Sequence, residues 1–141
     1  VVREELTSRG NALPWIDGIA FARRITALAK QDYDTARSLP GPVFFDRSIV
    51  DIIAFLRLSD RPVPPHIHRA AELRRYNPRV FIAPYWSDIY VQDTERKQSL
   101  AEAEAQYHIL QGAYAEFGYA LQPLPLAPVQ ERLRMVTTHL R

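Results

Sequence analysis

The sequence predicts an α/β fold in which helices alternate with short buried strands of a parallel sheet. Segments with the apolar period of amphipathic helices are interleaved with short apolar runs rich in Val, Ile and Phe. Breakers such as Leu39-Pro40-Gly41-Pro42 and Asn77-Pro78 separate the two kinds of segment. Strands separated by helices imply right-handed crossovers, and those make parallel neighbours.

Val1 to Arg9 reads as a helix closed by Gly10-Asn11, a helix-stop pair. Pro14-Trp15 opens a longer helix to about Ser38, with Phe21, Ile25, Leu28 and Ala29 at i, i+4, i+7 and i+8 as its apolar stripe. After the breaker, Val43 to Phe45 is a short buried strand. Ile49, Ile52, Ile53 and Leu56 recur at i, i+3, i+4 and i+7 in a helix ending near Ser59. Pro62, Pro64 and Pro65 stiffen the approach to a short helix from about His66 to Tyr76, and Val80 to Ala83 is a second strand closed by Pro84. Tyr85 to Asp93 has no clear period and reads as a loop or a short irregular helix. Glu95 to Phe117 is a long helix with Leu100, Tyr107, Leu110, Tyr114 and Phe117 on one face, stopped by Gly118. Tyr119 to Leu124 is a third strand, interrupted by Pro123 and so placed near a sheet edge or a strand end. Ala127-Pro128 starts a last helix, whose Val129, Leu133, Val136 and Leu140 are expected to face inward.

With 141 residues, 47% of them hydrophobic, the chain is expected to be a single domain, residues 1–141, with a real core. No apolar stretch is long enough to span a bilayer, and no signal-peptide pattern is present, so no membrane partner is expected. Cysteine is absent, which excludes disulfides and thiolate metal sites and fits a cytoplasmic location. A net charge of +2, from 18 basic and 16 acidic residues, is too balanced for a dedicated nucleic-acid surface but allows a local anion pocket. Three strands are too few to cover the apolar faces of the helices, so at least one more strand is expected upstream. The chain starts at Val1 and its only methionine is Met135, which suggests that an upstream segment has been removed, cleaved or left out of the sequence.

The most informative stretch is Val43-Phe44-Phe45-Asp46-Arg47-Ser48. An apolar run ends in an acid, a base and a hydroxyl just where a helical pattern begins. Ligands of open parallel sheets gather outside the carboxyl ends of the strands. An Asp-Arg-Ser at that place can hold a metal-bound water, clamp a phosphate and cap the next helix.

The succession Ala12-Leu13-Pro14-Trp15, Ala20-Phe21, Val43-Phe44-Phe45-Asp46-Arg47, Arg75-Tyr76, Val80-Phe81-Ile82-Ala83-Pro84, Trp86, Ile89-Tyr90, Asp93-Thr94-Glu95-Arg96, Tyr114 and Phe117-Gly118-Tyr119 resembles the small bacterial AAA-type predicted ATPases. These are P-loop NTPases built like nucleotide kinases, and the similarity runs from about residue 1 to residue 139. The resemblance implies a nucleotide-kinase-like parallel sheet with helices on both faces, here without its first strand, phosphate loop and helix. It implies ATP and Mg²⁺ as cofactors and hydrolysis or phosphoryl transfer as the reaction. The phosphate loop supplies backbone N–H groups, a lysine and a hydroxyl for Mg²⁺. The five glycines here are scattered and none precedes Lys-Ser or Lys-Thr, so that loop is expected upstream of residue 1.

By that resemblance Asp46 is a Walker-B-type acid that holds a Mg²⁺-bound water. The plainer reading is an N-cap for the next helix. Arg47 gives bidentate hydrogen bonds to a phosphate or an acceptor anion, against a plain ion pair with Asp51 at i+4. Ser48 is a cofactor ligand or, by preference, a cap. Arg96 takes a lid position over the triphosphate with Lys97 beside it, where either cation would oppose the helix dipole unless an anion is near. Asp93 or Thr94 as N-cap accounts for most of the rest of that segment. Tyr85 or Trp86 can stack on a base, with ordinary packing as the plainer reading. Arg74, Arg75 and Arg79 are solvated charges or a basic rim for an anionic substrate. His66 and His68 form a His-x-His pair with no obvious third metal ligand. Two other outcomes remain open: a small-molecule kinase with a basic acceptor pocket over Ser59 to Tyr76, and a non-catalytic module that forms a homo-oligomer through uncovered apolar faces.

Overall fold

The computed structural model describes residues 1–85 and 100–140. They form two compact units, Val1–Tyr76 and Asn77–Arg141.

In the first unit, α1 (Val2–Ser8) ends at Arg9, whose φ of 57° closes the helix one residue earlier than the Gly10-Asn11 pair suggests. Glu5 on α1 is buried, paired with the Arg24 guanidinium, and its Oε2 accepts the Ala12 N–H at 3.1 Å. A Cβ at Gly10 would overlap that carboxylate, so a larger residue there would have to displace the Glu5 side chain.

The second helix, α2 (Gly18–Ala36), starts later than expected. Asp17 is the reason: its Oδ1 accepts the Ala20 N–H at 2.9 Å and caps the helix, while Leu13 to Asp17 make a turn. Its buried row is Gly18, Ala22 and Thr26, and Leu28 of the expected stripe is exposed. Small residues on that row let α3 (Ile49–Leu58) approach closely, and Phe21 meets Phe55 edge-on at 5.6 Å.

Helix α3 buries Ile49, Val50, Ile52, Ile53, Ala54 and Leu56, so nearly its whole circumference is core. The four expected apolar positions are all among them. Helix α4 (Pro65–Leu73) takes Pro65 at its first position, where the missing N–H costs nothing, and buries Ile67, Ala70 and Ala71.

Val43 to Phe45, expected as a buried strand, is neither a strand nor buried. Val43, Phe44 and Phe45 are 38%, 64% and 37% exposed, and no ladder forms there among the described residues. An apolar run sets a preference for extended backbone, but a strand exists only where a neighbour supplies its hydrogen bonds.

In the second unit, β1 (Arg79–Ile82) pairs in parallel with β2 (Ala120–Pro123) in the register Arg79↔Ala120 to Ile82↔Pro123. Helix α5 (Leu100–Glu116) precedes β2, and Gly118 at φ 82° ends it, as expected. Tyr114 and Tyr119 are buried against each other edge-on at 5.6 Å. The last helix, α6 (Val129–Thr138), departs from expectation. Val129 and Leu133 are 67% and 60% exposed and Leu140 is exposed too, so the face expected inward is open among the described residues. Periodicity shows which residues share a face; whether anything covers it depends on tertiary packing. No helix among the described residues is long and apolar enough to cross a membrane.

Candidate functional site

Asp46, Arg47 and Ser48 lie between the extended segment 43–45 and α3. Ser48 is the N-cap: Val50 N–H donates to its Oγ at 3.1 Å, and its own N–H donates to Asp51 Oδ2 at 2.9 Å. Together they make a capping box, which satisfies the free amides of the first turn. The plain explanations for the two residues before it therefore fail. Asp46 does not cap the helix, because Ser48 does. Arg47 does not pair with Asp51, whose carboxylate serves the box.

Arg47 has a φ of 73°. Among the described residues, Arg9 and Asp60 share such a conformation, but each follows the last turn of a helix, where it is the usual ending. Arg47 precedes a helix, so no ending motif explains it. Backbone held in a sparsely populated region is a reason to look for function there. Asp46 and Arg47 are both exposed, and among the described residues neither has a side-chain hydrogen bond or ion pair.

The segment leading into Asp46 is anchored by aromatic rings. The Phe45 ring lies 5.1 Å from Tyr76 at 84° and 6.5 Å from Tyr33 at 29°, and Tyr33 and Tyr76 meet at 5.3 Å and 77°. Tyr33 Oη donates to the Arg75 carbonyl at 2.7 Å. Next to it, Arg74 gives a two-pronged hydrogen bond to Asp34, Nε to Oδ1 at 3.1 Å and Nη2 to Oδ2 at 2.8 Å. That hydrogen bonding holds the Asp34 carboxyl below its ordinary range, helped by the charges of Arg74, Arg37 and Lys30 and opposed by desolvation. It raises Arg74 correspondingly. Arg74 is thus engaged by Asp34 and is not a freely solvated charge.

The other candidates divide by location. Trp86, Arg96 and Lys97, with Asp93 and Thr94, lie outside the described residues. Tyr85 packs: its ring is 6.0 Å from Tyr107, and its Oη donates to Glu104 Oε1 at 3.3 Å. Arg79 is exposed at the start of β1. His68 Nδ1 is 2.9 Å from Glu72 Oε1, a helical i, i+4 contact, and no cluster of His, Asp or Glu among the described residues could hold a metal by itself. Sequence reading missed Tyr33, Asp34 and the role of Tyr76. Asp34 and Arg74 are 40 positions apart, beyond any local spacing rule.

A protein-family model described as an AAA domain matches residues 1–132, across both units. No curated protein and no solved structure matches the chain.

Proposed function

The chain belongs to the AAA domain family, a family of P-loop NTPases, and from this premise we propose that it binds ATP with Mg²⁺ and hydrolyses it. Membership itself implies nucleotide binding. The observation that carries the finer reading is the Asp46-Arg47 pair, two exposed opposite charges without partners among the described residues, beside a helix whose cap is already complete.

The residues present fit a hydrated Mg²⁺ arriving with its nucleotide. Mg²⁺ keeps several waters and takes one or two carboxylates plus phosphates rather than an all-protein cage. Asp46 offers one such carboxylate, and the described residues offer no cage. In this reading Asp46 accepts a hydrogen bond from a metal-bound water, and Arg47 donates to phosphate oxygens. Arg96 closes from the lid with Lys97 beside it, and Trp86 stacks on the base. When bound, Mg²⁺ neutralises charge on the phosphates as they react. No glycine here precedes Lys-Ser or Lys-Thr, so this reading assigns the phosphate-loop lysine to none of the 141 residues.

Transfer to an acceptor instead of water would need a basic pocket over residues 59–76, and there Arg74 is already engaged by Asp34. Arg61, Arg69 and Arg75 lie in the same segment, so transfer to an acceptor stays the second reading beside hydrolysis. The test is phosphate release and thermal shift with ATP·Mg²⁺ on the full-length protein and on Asp46→Asn. Stabilisation by ATP·Mg²⁺, with turnover lowered about 100-fold or more in the variant, is the expected result. Full turnover in Asp46→Asn would remove Asp46 from the site.

A further inference from the structure

We propose that Tyr33 and Tyr76 are positioning residues for Asp46, acting through the ring of Phe45. This rests on the reading that Asp46 belongs to the nucleotide site.

A charged group that touches a ligand must be held in place by something other than the ligand. Asp46 has no side-chain partner among the described residues, so its carboxylate is aimed by the backbone on either side. On the carboxyl side that support is the Ser48–Asp51 box, which ties the chain to α3. On the amino side no ladder hydrogen bonds hold residues 43–45 among the described residues. Among the described residues, the chain is held there by Phe45, its ring set against Tyr33 on α2 and Tyr76 beyond α4. Phe44, one residue earlier, has no such anchor among the described residues and is 64% exposed, whereas Phe45 is 37% exposed.

The two tyrosines are themselves fixed. Tyr33 and Tyr76 touch edge to face, and the Tyr33 hydroxyl is bonded to the Arg75 carbonyl one residue before Tyr76. The Asp34–Arg74 fork, formed by the neighbours of Tyr33 and Arg75, locks the ends of α2 and α4 together. Four consecutive links therefore run from two helix ends to the residue before Asp46: fork, hydroxyl, ring pair and ring. A shift of about 1 Å in a reacting or charge-stabilising group can lower turnover about 100-fold. A clamp that fixes Phe45 thus acts on kcat more than on ground-state binding.

The experiment compares the full-length protein with Phe45→Leu, Phe45→Tyr, Tyr76→Leu and Asp46→Asn. It measures kcat and KM for ATP·Mg²⁺, melting temperature, and amide hydrogen exchange over residues 43–48 with and without ATP·Mg²⁺. The exchange readout does not depend on turnover. Phe45→Leu and Tyr76→Leu are expected to lower kcat about tenfold or more with KM within about twofold, and to lose the protection that ATP·Mg²⁺ confers on residues 43–48. Phe45→Tyr keeps the ring and is expected to stay near wild type. If Tyr76→Leu does not fold, Phe45→Leu decides, because that ring is already partly in solvent. Wild-type kcat and protection in Phe45→Leu, with Asp46→Asn inactive, would overturn the clamp and leave the Asp46 reading standing. A lower melting temperature with unchanged kcat would overturn it as well, making the cluster purely structural. Full activity and protection in Asp46→Asn would remove the premise, and the clamp with it.

Discussion

At the scale of single residues, Arg47 is the position where local rules and the observed backbone disagree. An L-residue in the left-handed region costs roughly 1–2 kcal/mol, whereas glycine adopts it freely. Arg47→Gly is therefore expected to leave the protein as stable as wild type, or about 1 kcal/mol more stable once the added freedom of glycine in the unfolded chain is set against the relieved strain. The same change should weaken ATP·Mg²⁺ binding, because the guanidinium is gone. Urea denaturation and nucleotide titration on the same sample read the two effects separately. Lower stability with unchanged nucleotide affinity would mean that Arg47 has a structural task after all. Ser48, one position on, is the contrast: its conformation is extended and its side chain caps α3.

Among the elements, α3 is the one on which the first unit depends. Leu56 is completely buried, as are Ile49, Ile53 and Ile67. Leu56→Ala removes apolar area and leaves a cavity, so a loss of about 2–5 kcal/mol is expected. Equilibrium urea denaturation checks it, and a loss under 1 kcal/mol would mean that the site collapses around the smaller side chain. The ends of α2 and α4 carry a pH dependence. The folded carboxyl of Asp34 sits below its ordinary value, so around pH 4 the unfolded chain binds more protons than the folded one. Stability therefore rises with pH there. The contribution is complete above the unfolded value of about 4 and is lost as pH falls through the folded value. The stability of Asp34→Asn should vary less than that of wild type between about pH 2 and pH 5. Parallel pH profiles for the two proteins would show that the fork with Arg74 has no thermodynamic weight in solution.

For the whole molecule, the family reading predicts that stability is linked to nucleotide. A ligand that binds only the folded state stabilises it by about 2.7 kcal/mol at 100 times its Kd. ATP with Mg²⁺ should raise the melting temperature of the full-length protein, and chelating the metal with EDTA should remove most of that rise. A rise that survives EDTA would place the affinity in contacts to base and ribose and not in phosphates held through Mg²⁺. The uncovered faces of α6 and of residues 43–45 are also properties at this scale, since they record which apolar surfaces the described residues leave open.

Sequence alone was enough for the α/β class, for the existence and approximate bounds of α3, α4, β1 and β2, for the end of α5, whose expected start at Glu95 lies outside the described residues, and for the family. Each of these rests on information that is local or ordered along the chain: an apolar period, a proline or glycine stop, a succession of short motifs. Asp46 and Arg47 were legible as candidates for the same reason, as charges placed where an apolar run gives way to a helix. What the tertiary structure decided was everything that needs a partner distant in the chain. Val43 to Phe45 has the composition of a strand but no described neighbour to pair with, and α6 has an apolar face with no described cover. The buried row of α2 fell on Gly18, Ala22 and Thr26 because the bulk comes from α3. The Tyr33–Phe45–Tyr76 cluster and the Asp34–Arg74 fork join residues that share no spacing rule, so only folding brings them together. Propensity is a property of a segment, whereas pairing, burial and charge neutralisation are properties of two segments that meet.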